Sequence, residues 1–283
     1  MRVDAHHHMW DLAVRDQPWT AEPGLAETLH RTFTLDDLAP LTAEAGIEAS
    51  VLVQTITVAE ETPEFLALAE ASPLVRAVTG WTDLTAPDVA EALHALKEVP
   101  GGRWLKGIRH QVQGEPDPEW LVREDVLRGL TAVGEAGLVY ELLTLPSQLP
   151  AAIKAVAALP GTSFVLDHCS KPPITTGELE PWATQLRRLA SLPNVTCKLS
   201  GLVTEASKDW TVEDLRPYTD VVLTAFGPER VMFGSDWPVC LLHATYEQVT
   251  EATERLVEDL GEHERAQVWG GTAARVYGIT PGL

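Results

Sequence analysis

The feature that most constrains this chain is an alternation. Short β-branched or apolar runs recur along it, each followed by an amphipathic stretch rich in Ala, Leu and Glu. The pattern predicts eight strands, at Val3–His8, Ala49–Thr55, Val75–Thr82, Leu105–His110, Leu138–Leu142, Ser163–His168, Asn194–Ser200 and Arg230–Asp236. Helical segments are expected between them. Thr34 supplies an N-cap for one and Gly46 a stop; Pro63 suits the first turn of the next. Others are expected near Ala86–Val99, Glu119–Ala136, Ser147–Ala158, Glu178–Ser191, Thr211–Ala225, Ala244–Leu260 and Glu262–Tyr277.

Strands that alternate with helices make a parallel sheet. Eight such units in 283 residues point to an α/β fold of the (β/α)8 TIM-barrel kind, a single domain over residues 1–283. The competing architecture is a doubly wound sheet, but no GxGxxG follows the first strand and no Walker loop is present. Two long excursions, Met9–Arg31 and Gly201–Trp210, leave the C-terminal ends of the first and seventh strands. Barrel enzymes build their active-site loops at that end.

Polar residues gather at the same ends. The first strand finishes Asp4-Ala5-His6-His7-His8, the fourth Arg109-His110, the sixth Asp167-His168 and the eighth Gly234-Ser235-Asp236; the seventh carries Lys198 and Ser200. A buried strand interior does not tolerate such groups unpaired, whereas at the mouth of a barrel they converge. Strand side chains alternate with period two. On that rule His6, His8 and Asp4 share a face and His7 points away. Likewise His168 aligns with Phe164 and Leu166, Asp167 takes the opposite face, and Asp236 aligns with Met232 and Gly234. Taken singly, three histidines near a terminus read as a tag fragment, His168 as a core histidine and Asp236 as a helix cap. Their recurrence at corresponding ends of different strands favours a site.

Charge narrows the partners. With 21 Lys+Arg against 41 Asp+Glu, the net charge is −20. No basic run is present, which argues against nucleic acid and against an anionic membrane surface. No apolar stretch of about 18 residues exists to span a bilayer, and the N-terminus lacks a signal-peptide core. Three cysteines, Cys169, Cys197 and Cys240, fit no zinc-type spacing; an odd count in a soluble chain is expected of a reducing compartment, the cytoplasm. A homo-oligomer is compatible with this surface.

The segments VDAHHHMWD, KGIRHQVQ, VLDHCSKP, NVTCKLSGLVTEA and FGPERVMFGSDWPVC carry a resemblance. Together they resemble the amidohydrolase superfamily, and within it the lactonase-like branch. The resemblance implies a (β/α)8 barrel that hydrolyses a sugar lactone, an aldonolactone such as L-fucono- or L-rhamnonolactone. Its matching positions imply one divalent ion, zinc by preference, on His6, His8, His168 and Asp236; a metal-independent mechanism is the alternative. The pattern departs from two-metal relatives, because the fourth strand offers Arg109-His110 in place of a bridging Lys or Glu. The fifth strand, Val139-Tyr140-Glu141-Leu142, lacks their histidine.

Lactone hydrolysis needs an attacking water, a polarised carbonyl and a proton for the leaving oxygen. Asp236 is expected to act as general base, with Arg109, His110 and His168 stabilising the oxyanion. Trp10, Trp81 and Trp237 lie at or just beyond strand ends and offer flat faces to a sugar ring. Gln54 and Lys171 are expected to bind hydroxyls or a carboxylate. Lys198, inward on its strand, needs a buried partner. Ser170, Ser200 and Ser235 sit in no GxSxG elbow, and Cys169 is a minor nucleophile candidate. The second reading is a single-metal decarboxylase of an aromatic or unsaturated acid, and the third an inert ligand-binding barrel. An acidic chain does not attract anions at long range, which is compatible with a neutral lactone, while local Arg and Lys can override this for a dicarboxylate.

Overall fold

The computed structural model describes residues 1–280. Its eight strands are β1 (Val3–His7), β2 (Ala49–Val53), β3 (Val75–Gly80), β4 (Leu105–His110), β5 (Val139–Leu142), β6 (Ser163–Leu166), β7 (Val195–Leu199) and β8 (Val231–Phe233). They pair in parallel in sequence order. Behind β8 the seam closes onto β1, through Asp236 N–H to the His6 carbonyl (2.8 Å) and His8 N–H to the Trp237 carbonyl (2.7 Å). The expected (β/α)8 barrel is therefore what forms. The last three residues of the expected 1–283 domain lie outside the described residues.

Helices form where the caps allow. Thr34 and Thr211 each close a capping box, with Asp37 and Asp214, and open the helices Leu35–Glu44 and Val212–Phe226. The helices bury their apolar faces on the outer side of the sheet, as Leu149, Ala152, Ala155 and Val156 do on Leu149–Ala158. Inside the barrel a second cluster fills the lower half: Val3, Ala5, Val51, Val53, Ala77, Val139, Val165 and Met232. Tyr277 joins it from the closing helix Thr272–Tyr277. Among the described residues no helix is long and apolar enough to cross a membrane.

Several strands stop earlier than the pattern suggests. β6 ends at Leu166, and His168, Cys169, Ser170 and Lys171 follow with φ of 50°, 52°, 57° and 50°. β8 ends at Phe233, and Asp236 has φ 57°. Non-glycine residues enter this left-handed region at a cost, and do so mainly where function over-determines the backbone. The apolar run ends where the chain must leave its pleat to aim these side chains.

Candidate active site

β1 carries an extra residue: Asp4 pairs with Ser50 but His7 with Leu52. This bulge breaks strict alternation. Val3 and Ala5 face inward, and so do His6 and His8. His7 points out to Ser50 Oγ at 2.9 Å. Asp4 is thus not beneath the histidines as expected. It accepts from Ser235 N–H (2.8 Å), Ser235 Oγ (2.6 Å) and Tyr246 Oη (3.0 Å), and so ties β1 to the outer layer. Gly234 meets the same crowding, since a Cβ there would come within 2.7 Å of His6 Cβ.

Three imidazoles and one carboxylate converge at the mouth. Asp236 Oδ1 lies 3.8 Å from His6 Nε2, 3.6 Å from His8 Nε2 and 3.8 Å from His168 Nε2. His6 and His8 Nε2 are 3.1 Å apart. His8 Nδ1 is 2.8 Å from the Val53 carbonyl, which can only accept, so Nδ1 carries a proton and Nε2 faces the centre. His168 Nδ1 is held by the Ser200 hydroxyl at 2.8 Å. A ring nitrogen fixed from behind is the usual support for a metal-binding histidine. His6, His8 and Asp236 bring ligand atoms within 4.8 Å of one another, as do His6, Asp167 and His168, and His168 Nε2 stands 3.8 Å from Asp236 Oδ1; such a nitrogen and oxygen set fits a divalent ion such as zinc.

Electrostatics keeps these groups in the required forms. Burial drives His168 down to about 4, with Lys171 and Arg109 adding to it against the pull of Asp236 and Asp167. Burial and then Lys198 drive His6 well below the ordinary histidine range. Burial pushes Asp236 up, but His168, His8 and Lys171 outweigh it and hold the carboxyl below its usual range. At neutral pH His6 and His168 are neutral beside an ionised Asp236 carboxylate.

Beneath them lies a charged floor. Lys198 Nζ reaches Glu141 Oε2 at 2.6 Å, Asp167 Oδ1 at 3.2 Å and His6 Nδ1 at 3.2 Å. Glu141 in turn accepts from Thr79 and from the Tyr277 hydroxyl. The partner that an inward Lys198 needs is therefore Glu141. Asp167 takes the face opposite Phe164 and Leu166, as expected: with β6 alternating, Val165 and Asp167 both point inward, and Asp167 pairs with Arg109 at 3.0 Å; it is His168 that leaves its expected face. His168 joins them inside because the backbone has already turned.

Above the floor opens a cleft of about 450 Å³, lined among others by His8, His168, Asp236, Arg109, Lys171 and Trp19. Both long excursions supply its walls, Trp19, Glu22 and Leu25 from the first and Thr204 and Glu205 from the second. Sequence reasoning marked these loops but not these residues, since loop residues follow no period. Five expected site residues lie elsewhere. His110 faces outward, between Trp81 Nε1 (3.1 Å), Glu115 (2.7 Å) and the stacked ring of Trp120. Trp81 is spent on that contact. Trp10 and Trp237 pack edge-on against Phe33 in the core. Gln54 is wholly buried behind the cleft and accepts from Arg109 Nε at 2.9 Å. Arg109 lines the cleft, yet Gln54 and Asp167 already engage its guanidinium.

The chain matches the family model described as amidohydrolase over residues 3–279. It is 41% identical to an L-fucono-1,5-lactonase of Burkholderia multivorans, over 99% of this chain and 96% of that protein. A solved amidohydrolase from Burkholderia multivorans with bound zinc is 39% identical, covers 99% of this chain and 100% of its own, and superposes with a TM-score of 0.91. The 5-carboxyvanillate decarboxylase of Sphingomonas paucimobilis superposes at 0.65 with 14% identity over 99% of each chain, a likeness of fold alone. A closed eight-stranded barrel with three histidines and an aspartate at its mouth, matched by the family model over nearly its whole length, places this chain in the amidohydrolase family.

Proposed function

We propose that this protein opens the ring of a sugar lactone, an aldonolactone such as L-fucono-1,5-lactone, by attack of water. The observation that carries the reading is the ionised Asp236 carboxylate, within 3.6–3.8 Å of three imidazole nitrogens and open to a cleft of sugar size. The identity with a lactonase over nearly the full chain supports it. His6, His8, His168 and Asp236 are the residues that would hold a divalent ion, zinc in the relative of known structure. Such an ion polarises the carbonyl and lowers the pKa of water.

The chain's own residues supply the rest. Asp236 accepts a proton from the attacking water as the oxygen bonds to the lactone carbon. The acyl C–O ring bond breaks, and the same proton passes to the leaving ring oxygen, giving the open hydroxy acid. His168, neutral at working pH, orients that exchange from the far side. Arg109 holds Asp167 and the floor, giving three of its five N–H groups to Gln54 and Asp167. Trp19 offers the sugar an aromatic wall in place of the tryptophans named from sequence.

The test is a pH-indicator assay against a panel of aldonolactones, before and after chelation, with metal content measured in parallel. Acid release from one lactone, lost with the metal, is the expected result. Silence across the panel with about one divalent ion per chain would transfer the site to the decarboxylase reading.

A further inference from the structure

The cleft holds two cations besides its imidazoles, and both are already matched. Arg109 meets Asp167 at 3.0 Å. Lys171 meets Glu205 Oε1 at 2.9 Å. The carboxylates left without a cation are Asp236, at the reacting centre, and Glu22 on the opposite wall. A lysine three residues from a site histidine is an obvious seat for a substrate carboxylate. Here that seat is taken by the protein itself.

Both halves of the pair are held in place. Lys171 ends the left-handed turn that begins at His168, and its N–H bonds back to the His168 carbonyl at 2.8 Å. Such a turn is strained for non-glycine residues and fixes where the side chain leaves the backbone. Glu205 closes the short helix Leu202–Glu205, and Thr175 Oγ1 donates to its carbonyl at 2.7 Å. The pair therefore stands across the cleft without net charge. It still offers spare ammonium N–H groups and the second Glu205 oxygen, donors and an acceptor suited to hydroxyls.

We propose that the Lys171–Glu205 ion pair is a charge filter, admitting neutral polyhydroxylated lactones and turning away lactones that bear a carboxylate. The inference rests on the lactonase reading and deepens it. Discrimination of this kind needs a repulsive element as well as an attractive one, and Glu205 supplies both. It accepts a hydroxyl from the right substrate and cancels the cation that the wrong one needs.

The experiment compares kcat/KM for L-fucono-1,4-lactone with that for the galactaro-1,4-lactone of the same ring configuration, in which a carboxylate replaces the methyl group. Wild type, Glu205→Gln and Lys171→Gln are measured with metal bound. Glu205→Gln frees the lysine and is expected to cut the preference for the neutral lactone by about tenfold or more, a modest yield for one charge a few ångströms from a carboxylate. Lys171→Gln leaves Glu205 uncompensated and is expected to raise that preference. Opposite shifts from two neighbouring variants are not produced by loosened packing. A ratio within about twofold of wild type in Glu205→Gln, or shifts of the same sign in both variants, overturns the filter while the lactonase reading stands. A wild-type protein that leaves L-fuconolactone intact overturns the lactonase reading for that substrate and the filter with it.

Discussion

Two lysine–glutamate pairs, one under the site and one over it, show how burial changes what a charge is for. Lys198–Glu141 lies in the barrel floor at 2.6 Å, with both side chains 0% exposed. Lys171–Glu205 lies at the rim at 2.9 Å, with exposures of 24% and 25%. The contacts are nearly alike, but their energetics differ. A buried ion pair gains little over apolar packing, yet removing one partner strands the other without solvent. A pair about a quarter exposed keeps part of its water, and its net worth is about 0–1 kcal/mol. The floor is locked into the fold. The rim can be altered at small cost to folding, and that leaves it available for substrate selection.

The sharpest way to break this comparison is Lys198→Met. It leaves Glu141 buried without its cation and Asp167 with Arg109 alone, and we expect a loss of about 3–5 kcal/mol in urea denaturation. Lys171→Gln, measured alongside, is expected to cost no more than about 1 kcal/mol. Equal losses would dissolve the distinction between floor and rim. Asp236→Asn comes next and separates chemistry from stability. It is expected to lower kcat on the lactone by roughly 10²–10³-fold, with a thermal midpoint near that of wild type. Retention of near-wild-type turnover would remove Asp236 from its role as base.

Acid provides the next test, because it loads the buried histidines and spares the rim pair. Burial lowers His7 to about 3 and His168 to about 4, against an ordinary value of 6.5. Both rings bind a proton more readily in the unfolded chain. Their contribution is therefore fully present above about pH 6.5 and declines as pH falls towards the folded values. At pH 4.5 each ring is expected to have withdrawn about 2–3 kcal/mol, on the scale of 1.36 kcal/mol per pKa unit. Urea midpoints between pH 7.5 and 4.5, taken in chelator, check this. A flat profile would mean that the rings are hydrated in a way that their burial excludes.

Much of this was legible in the sequence, and the failures have identifiable causes. The eight-unit alternation defines the barrel because parallel strands need crossover helices. His6, His8, His168 and Asp236 could be picked out because polar residues at strand ends have no place in a core. Period two then misplaced Asp4 and His168. A one-residue bulge moved the histidines across the pleat ahead of Asp4, and a left-handed turn carried His168 inside beside Asp167. Neither leaves a mark in hydrophobic periodicity. The tryptophans misled for another reason: position beyond a strand end does not say which way a loop folds, and Trp10 and Trp237 turned back into apolar packing. Trp19 and Glu205, which do face the cleft, come from loops where only the three-dimensional path decides.

The smallest effect is expected at His110, where the pattern error can be tested directly. Arg109 and His110 are neighbours on β4, so the pleat sends them to opposite sides. Arg109 enters the barrel, while His110 is held by Trp81, Glu115 and Trp120 outside it. His110→Gln keeps a hydrogen-bonding side chain in that pocket and touches neither the floor nor the rim. We expect kcat/KM for the lactone to stay within about twofold of wild type, the scale of a substitution worth some 0.5 kcal/mol. The same change at a residue that stabilised the oxyanion would remove about 10²–10³ in kcat. A loss of that size would show that His110 swings into the cleft when substrate binds, because no fixed contact links its outward position to the reacting atoms.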